Sequence, residues 1–170
     1  MVEKLLYGII RLGNMINFYV GDSRVAGKGI FASRDIPKGE HILRFEGKVI
    51  TLEGVLSKEE DVWGNAVQIG NETYIDVEAP FVFVNHSCDP NSGLKDAATL
   101  VSVRDIAKDE EIAFDYSTCM DEDMWTMECR CGSTGCRGKI RDFKYVPVDV
   151  RTRYIRMEVV PEWLLKNQPS

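Results

Sequence analysis

The stretch Phe83-Val84-Asn85-His86-Ser87-Cys88-Asp89-Pro90-Asn91 says more about the fold than any other run in the chain. An apolar segment stops abruptly at a polar string and a proline turn. Taken alone, it reads as a strand end closed by an Asx-type turn. His86 and Cys88 invite a second reading, a nucleophilic dyad. Spacing argues against it: side chains two residues apart rarely meet at one reacting atom, and no third, orienting partner is evident in the sequence.

Downstream, Asp109-Glu110-Glu111-Ile112-Ala113-Phe114-Asp115-Tyr116 alternates as a strand does. Phe114 and Tyr116 share one face and Asp115 takes the other. By itself, Tyr116 reads as a core aromatic with a satisfied hydroxyl. Next comes Cys129-Arg130-Cys131-Gly132-Ser133-Thr134-Gly135-Cys136, three thiols on a glycine-rich loop. Zinc takes about four thiolate or imidazole ligands in a tetrahedron. Three are local, so the fourth comes from elsewhere; Cys88 is the first candidate, with Cys119 and His86 as rivals. Five cysteines, an odd count without a secretion signal, speak against a disulfide framework. Upstream, Gly27-Lys28-Gly29 is a turn; with no helix after it, the usual nucleotide-loop reading fails.

The rest of the chain reads as short strands broken by turns. Candidate strands are Ile16 to Val20 (with a turn at Gly21-Asp22), Ile30 to Ala32, His41 to Phe45, Val49-Ile50, Leu100 to Val103 and Ile112 to Phe114. Residues 66–69 and 73–75 flank Gly70-Asn71 as a hairpin. Helical periodicity is confined to Leu52–Asp61 and Pro161–Lys166. A chain of 170 residues fits one domain with a small appendage. The net charge of −6 argues against a nucleic-acid binder. Residues 105–128 hold nine acids and one base, while 129–156 hold eight bases and two acids. That pattern predicts either two surfaces that attract each other or an acidic edge for a basic substrate. No apolar run approaches the ~20 residues of a membrane span. The run Leu5 to Ile10 is too short and too acidic in front for a secretion signal, which predicts a cytosolic or nuclear protein.

In this order, the pieces resemble the SET-domain protein lysine methyltransferases with a post-SET zinc motif. The matched pieces are Gly27 to Ala32, Phe45-Glu46-Gly47, Asn85 to Asn91, Glu111 to Tyr116 and the Cys129/Cys131/Cys136 cluster. The resemblance implies a mainly β fold of small curved sheets around a knot-like crossing. It divides the chain into an N-terminal segment (1–17), the SET domain (18–118), a post-SET zinc loop (119–140) and a C-terminal extension (141–170). It implies S-adenosylmethionine as methyl donor, held by Ala26, Gly27, Lys28, Phe45, Asn85, His86 and Arg130. Cys88 completes a single structural zinc with Cys129, Cys131 and Cys136, and Cys119 stays free. Tyr116 is the catalytic tyrosine, and Phe114 and Tyr74 line the channel for the substrate lysine. The family commonly has Tyr where Phe45 stands and Arg where Val82 stands, so two donor contacts are expected to be missing. The implied partner is a basic protein, a histone tail or a non-histone protein, docked along an acidic edge beside the channel. The alternative is a zinc-stapled interaction module that has lost catalysis.

The implied chemistry needs a neutral lysine nitrogen. Deprotonating a lysine of pKa ~10.4 at pH 7 costs about 4.6 kcal/mol. A nearby sulfonium and an apolar channel both lower that pKa, so no His or Glu base is required. Tyr116 is a poor base, and its expected role is to orient the amine and polarise the methyl. Phe114, with no hydroxyl to hold a blocking water, implies di- or trimethylation.

Overall fold

The protein is described here from a computed structural model, over residues 17–168. The run Leu5 to Ile10, residue Ile16 and most of the N-terminal segment lie outside the described residues. In chain order the strands are β1 (Phe18–Asp22), β2 (Lys28–Ala32), β3 (His41–Arg44), β4 (Gly47–Thr51), β5 (Ala66–Gly70), β6 (Thr73–Val77), β7 (Asn85–His86), β8 (Ser92–Leu94), β9 (Thr99–Ser102), β10 (Glu111–Phe114), β11 (Met127–Glu128) and β12 (Lys139–Ile140). The helices are α1 (Leu52–Leu56), α2 (Val148–Arg156) and α3 (Glu162–Lys166). The fold is a set of small sheets, with strand orders β1-β2-β10-β7, β3-β9-β8, β4-β6-β5 and β11-β12.

Two expected boundaries move. Gly21-Asp22 is not a turn but the end of β1, because Gly21 pairs with Gly29 and Asp22 with Lys28. The reversal falls at Ser23 to Gly27, where Gly27 adopts a left-handed φ of +48° that an L side chain resists. The expected helix over Leu52–Asp61 is one short turn of α-helix, capped by the Thr51 hydroxyl accepting from the Gly54 N–H (3.3 Å). It is followed by a separate 3-10 turn, Glu60–Asn65.

One pairing positions the site. β10 runs antiparallel to β2 but parallel to β7, with Ala113 opposite Asn85 and Phe114 opposite His86. The intervening chain leaves for another sheet, and Asn91 ties it back. Its buried side chain donates to the Glu111 carbonyl (2.8 Å) and accepts from the Ala113 N–H (3.0 Å). It thus serves β10 as a neighbouring strand's backbone would.

The C-terminal extension packs onto this frame. Phe143, Val146, Tyr154, Val159, Val160 and Leu164 are buried against Val101 and Val103 of the β9 region. The approach is closest at Gly93, where a Cβ would lie 2.6 Å from the Cβ of Val159. Helix α2 is not expected from the sequence; it buries Tyr154 fully and packs Val150 and its C-cap Met157 on the same face, a narrow apolar stripe among charged residues.

Candidate active site and metal centre

Tyr116 opens the 3-10 turn after β10. Its ring lies 5.1 Å from Phe114, 5.3 Å from the His86 ring and 6.4 Å from Trp125. The rings of Tyr116, Phe114 and Trp125 border a largely apolar cleft of about 740 Å³, its open mouth included, which Phe45, Tyr74 and Glu122 also line. Phe45 packs 5.5 Å from Phe114, which sets it among the cleft aromatics. The Tyr116 hydroxyl donates to the Val84 carbonyl at 2.8 Å. Burial pushes its pKa above the ordinary value. A neutral phenol whose only proton is committed offers lone pairs to whatever enters the cleft.

Behind this wall, Asn85 staples the glycine loop to the sheet. Its amide donates to the Lys28 carbonyl (3.0 Å) and to Glu111 (2.7 Å). The Ser23 hydroxyl also donates to Glu111, at 2.7 Å. Ala26, Gly27 and Lys28 are exposed. Nothing lies within 4 Å of where a Gly27 side chain would begin, so the loop backbone is open to a ligand. Glu111, a residue not singled out from sequence, is the acceptor that organises this corner.

The four thiols of Cys88, Cys129, Cys131 and Cys136 lie within 4.8 Å of one another. Cys88 Sγ and Cys129 Sγ are 3.8 Å apart. A tetrahedron with Zn–S bonds of about 2.3 Å has S···S edges of about 3.8 Å, so the set fits zinc. Backbone N–H groups are aimed at the sulfurs: Arg137 N–H at Cys88 Sγ (3.4 Å) and Cys88 N–H at Cys131 Sγ (3.5 Å). Burial opposes a thiolate at Cys131, but hydrogen bonds from Ser133, from the backbone and from Cys129 win and push it down to about 6. Cys119 is buried elsewhere, donating to the Tyr116 carbonyl (3.2 Å), and is not in the cluster.

The spacing argument against a His86–Cys88 encounter fails in three dimensions: His86 Nε2 and Cys88 Sγ are 3.3 Å apart. The two-residue strand followed by a turn brings both side chains to one side. The pair is still not a nucleophilic dyad. The Tyr116 N–H donates to His86 Nδ1 (3.2 Å), so the ring proton sits on Nε2 and faces sulfur. Burial above all pushes the imidazole down to about 4. A neutral donor to a clustered thiol is an outer support for a metal ligand, not a base.

Asp115, on the opposite face from Tyr116, is 1% exposed and joins three parts of the chain. It accepts from the Arg137 guanidinium (2.7 Å), the Tyr154 hydroxyl of α2 (3.0 Å) and the Ser117 N–H (3.0 Å). Sequence reasoning missed Arg137 and Tyr154, because nothing local marks either as a partner of Asp115. Asp115→Asn is expected to destabilise the fold by about 3 kcal/mol, since it leaves Arg137 without its counter-charge. The midpoint of urea unfolding measures it; an unchanged midpoint refutes the role of this junction.

The run of acids expected to form an acidic edge contributes one residue to the lining of the cleft and several to pairs with other groups. Of the nine acids in 105–128, only Glu122 lines the cleft. Glu110 pairs with Arg104 and Asp123 with Lys144, Asp109 accepts from Tyr19, and Glu111 and Asp115 are committed as above. Arg130 is exposed and forms no ion pair among the described residues. No helix among them is long and apolar enough to cross a membrane.

Comparison with known proteins places this geometry. The SET domain family model matches residues 27–117. The chain is 30% identical over 137 residues to human histone-lysine N-methyltransferase 2D, covering 71% of this chain and 2% of that protein. It is 26% identical over 136 residues to the Drosophila melanogaster histone-lysine N-methyltransferase trr, covering 71% and 6%. It is 27% identical over 136 residues to the H3 lysine-4 specific histone-lysine N-methyltransferase of Aspergillus fumigatus, covering 68% and 11%. The chain thus spans a small part of each relative's length. The matched interval contains the Gly27 loop, the β7–β10 pairing and Tyr116, and this chain belongs to the SET-domain family.

Proposed function

We propose that this chain is an S-adenosylmethionine-dependent protein-lysine N-methyltransferase, acting on a histone or another basic protein in the nucleus or cytoplasm. The observation that carries the reading is the Tyr116 hydroxyl, held by Val84 at the wall of an aromatic cleft and joined through the β7–β10 pairing to the Asn85–Lys28 corner. The cleft suits the stem of a lysine, whose methylenes favour aromatic walls. The corner formed by Ala26, Gly27, Lys28, Asn85 and His86 would hold the methyl donor, with Arg130 closing over it. The donor, when bound, supplies an electrophilic methyl on a sulfonium. Tyr116 orients the attacking amine through its lone pairs. Alignment of two reactants of this kind is worth up to about 7–11 kcal/mol. Cys88, Cys129, Cys131 and Cys136 would hold one structural zinc that binds the loop after Tyr116 to the core.

Phe114 borders Tyr116 at 5.1 Å and carries no hydroxyl to fix a water beside the amine. A methylated nitrogen therefore has room to turn for another round, and two or three methyl groups are added. The test is mass spectrometry of core histones and lysine peptides incubated with the methyl donor. Wild type is expected to progress past monomethyl-lysine, and Phe114→Tyr to stall earlier. No methyl transfer to any lysine refutes the function; a wild type that halts at one methyl refutes the multiplicity.

A further inference from the structure

The cleft is lined by two polar groups that the reading above does not use. Tyr74 of β6 is 3% exposed, and its hydroxyl has no hydrogen-bond partner among the described residues. A buried hydroxyl left unpaired is unfavourable, which marks the position as one a ligand fills. Glu122, half-buried on the segment that leads from Tyr116 to the thiol loop, lines the same cleft as Tyr74 and Tyr116. One of its oxygens accepts from the Asp121 N–H at 3.0 Å. Every other lining side chain except Gln68 and Asn65 is either apolar or aromatic, or a thiol.

We propose that Glu122 is the base of this cleft: the substrate lysine enters as an ammonium, hydrogen-bonds the Tyr74 hydroxyl, and passes one proton to the Glu122 carboxylate. In that step an N–H bond breaks, its electron pair stays on nitrogen as the attacking lone pair, and an O–H bond forms on Glu122. The proton then leaves through the open mouth. The inference rests on the methyltransferase reading and departs from the sequence-based expectation that no Glu base is required.

The surroundings suit the task. Burial, with Asp142 and Asp121 adding repulsion against backbone N–H donors, pushes Glu122 up to about 7. The titratable groups facing it are Tyr74 from β6, Cys119 after Tyr116, Asp121 on its own segment and Asp142 before the 3-10 turn Phe143–Tyr145. Lys144, whose charge favours the Asp142 carboxylate, is engaged by Asp123. A carboxyl poised near neutrality both accepts a proton and releases it at working pH.

The experiment is the pH profile of kcat/KM with a histone H3 tail peptide, from pH 6 to 10. In wild type, activity rises as Glu122 ionises and levels off above about pH 8. Glu122→Gln is expected to be about 100-fold slower at pH 7, to keep climbing tenfold per pH unit, and to approach wild type near pH 10 as the amine deprotonates itself. Donor binding, by equilibrium dialysis, stays unchanged. Tyr74→Phe is expected to raise the thermal midpoint, because an unpaired buried hydroxyl is gone, yet to lower kcat/KM several-fold. If Glu122→Gln does not fold, wild type decides with a peptide carrying a less basic lysine analogue, sulfur replacing one methylene. The lower limb then stays where it was, whereas loss of the proton directly to water moves it down with the amine. A Glu122→Gln profile parallel to wild type, a limb that moves with the analogue, or full activity in Tyr74→Phe overturns the inference and leaves the methyltransferase reading standing. A wild type that methylates no lysine overturns both.

Discussion

Tyr116→Phe is expected to lower methyl transfer about 100-fold or more while leaving the fold and donor binding nearly intact. The hydroxyl's single described bond is the one it donates to the Val84 carbonyl. Losing it costs stability about 1 kcal/mol, which a domain of ordinary stability tolerates. Catalysis loses more. The oxygen is fixed by Val84 in the wall of the cleft, and a preorganised group of this kind is commonly worth 10²–10³ in rate. The aromatic packing against Phe114, His86 and Trp125 is kept by Phe, so the variant isolates the hydroxyl. Radiolabelled donor and a lysine peptide measure the rate; dialysis measures donor affinity. Full activity in Tyr116→Phe removes this residue from the mechanism. A parallel collapse of folding, seen by circular dichroism, shows its role to be structural.

Cys88→Ser is expected to release zinc and free the segment from Met127 to Lys139, whereas Cys119→Ser keeps the metal. The reason is geometric. Cys88 sits just after β7 in the core, and its three companions sit on the loop between β11 and β12. A metal there is a cross-link between distant parts of the chain. Besides the metal centre, that loop is tied down by a two-strand ladder of two residue pairs and by the hydrogen bonds from Arg137 to Asp115 and to the Ser117 hydroxyl. Structural zinc contributes about 10–16 kcal/mol in zinc-finger peptides, comparable with the whole stability of a domain. Plasma emission should find one zinc per wild-type chain and none in Cys88→Ser. Limited proteolysis should cut the variant, or chelated wild type, after Arg130, Arg137 or Lys139. Metal-free wild type purified without chelator contradicts the assignment, as does loss of zinc from Cys119→Ser.

Much of this was legible because it is local. The hairpin of β5 and β6 is announced by alternation around Gly70-Asn71, and the strands at 30–32, 41–44 and 112–114 by short apolar runs between turn residues. The thiol trio is legible because its members are close in sequence on a glycine-rich loop. Other features leave no local trace. Strands β7, β8, β11 and β12 are two or three residues long, too short to show a period. Helix α2, Val-Asp-Val-Arg-Thr-Arg-Tyr-Ile-Arg, buries only Tyr154. Its packed stripe of Val150, Tyr154 and the C-cap Met157 is three residues long and set among charged ones, so periodicity marks it only faintly.

The sequence by itself determined the small-stranded β class, the three clustered thiols, and the three strings that identify the family, because each depends on residue type at fixed short spacing. Only the tertiary structure decided which thiol comes fourth, that His86 faces Cys88 with a proton and not a lone pair, and that Asp115 clasps Arg137 and Tyr154. It also decided that, of nine neighbouring acids, Glu122 lines the cleft. The physical reason is the same in each case. Charge pairing, tautomer and metal geometry are set by distances across the fold, and the parallel pairing of β7 with β10, residues far apart in the chain, sets those distances.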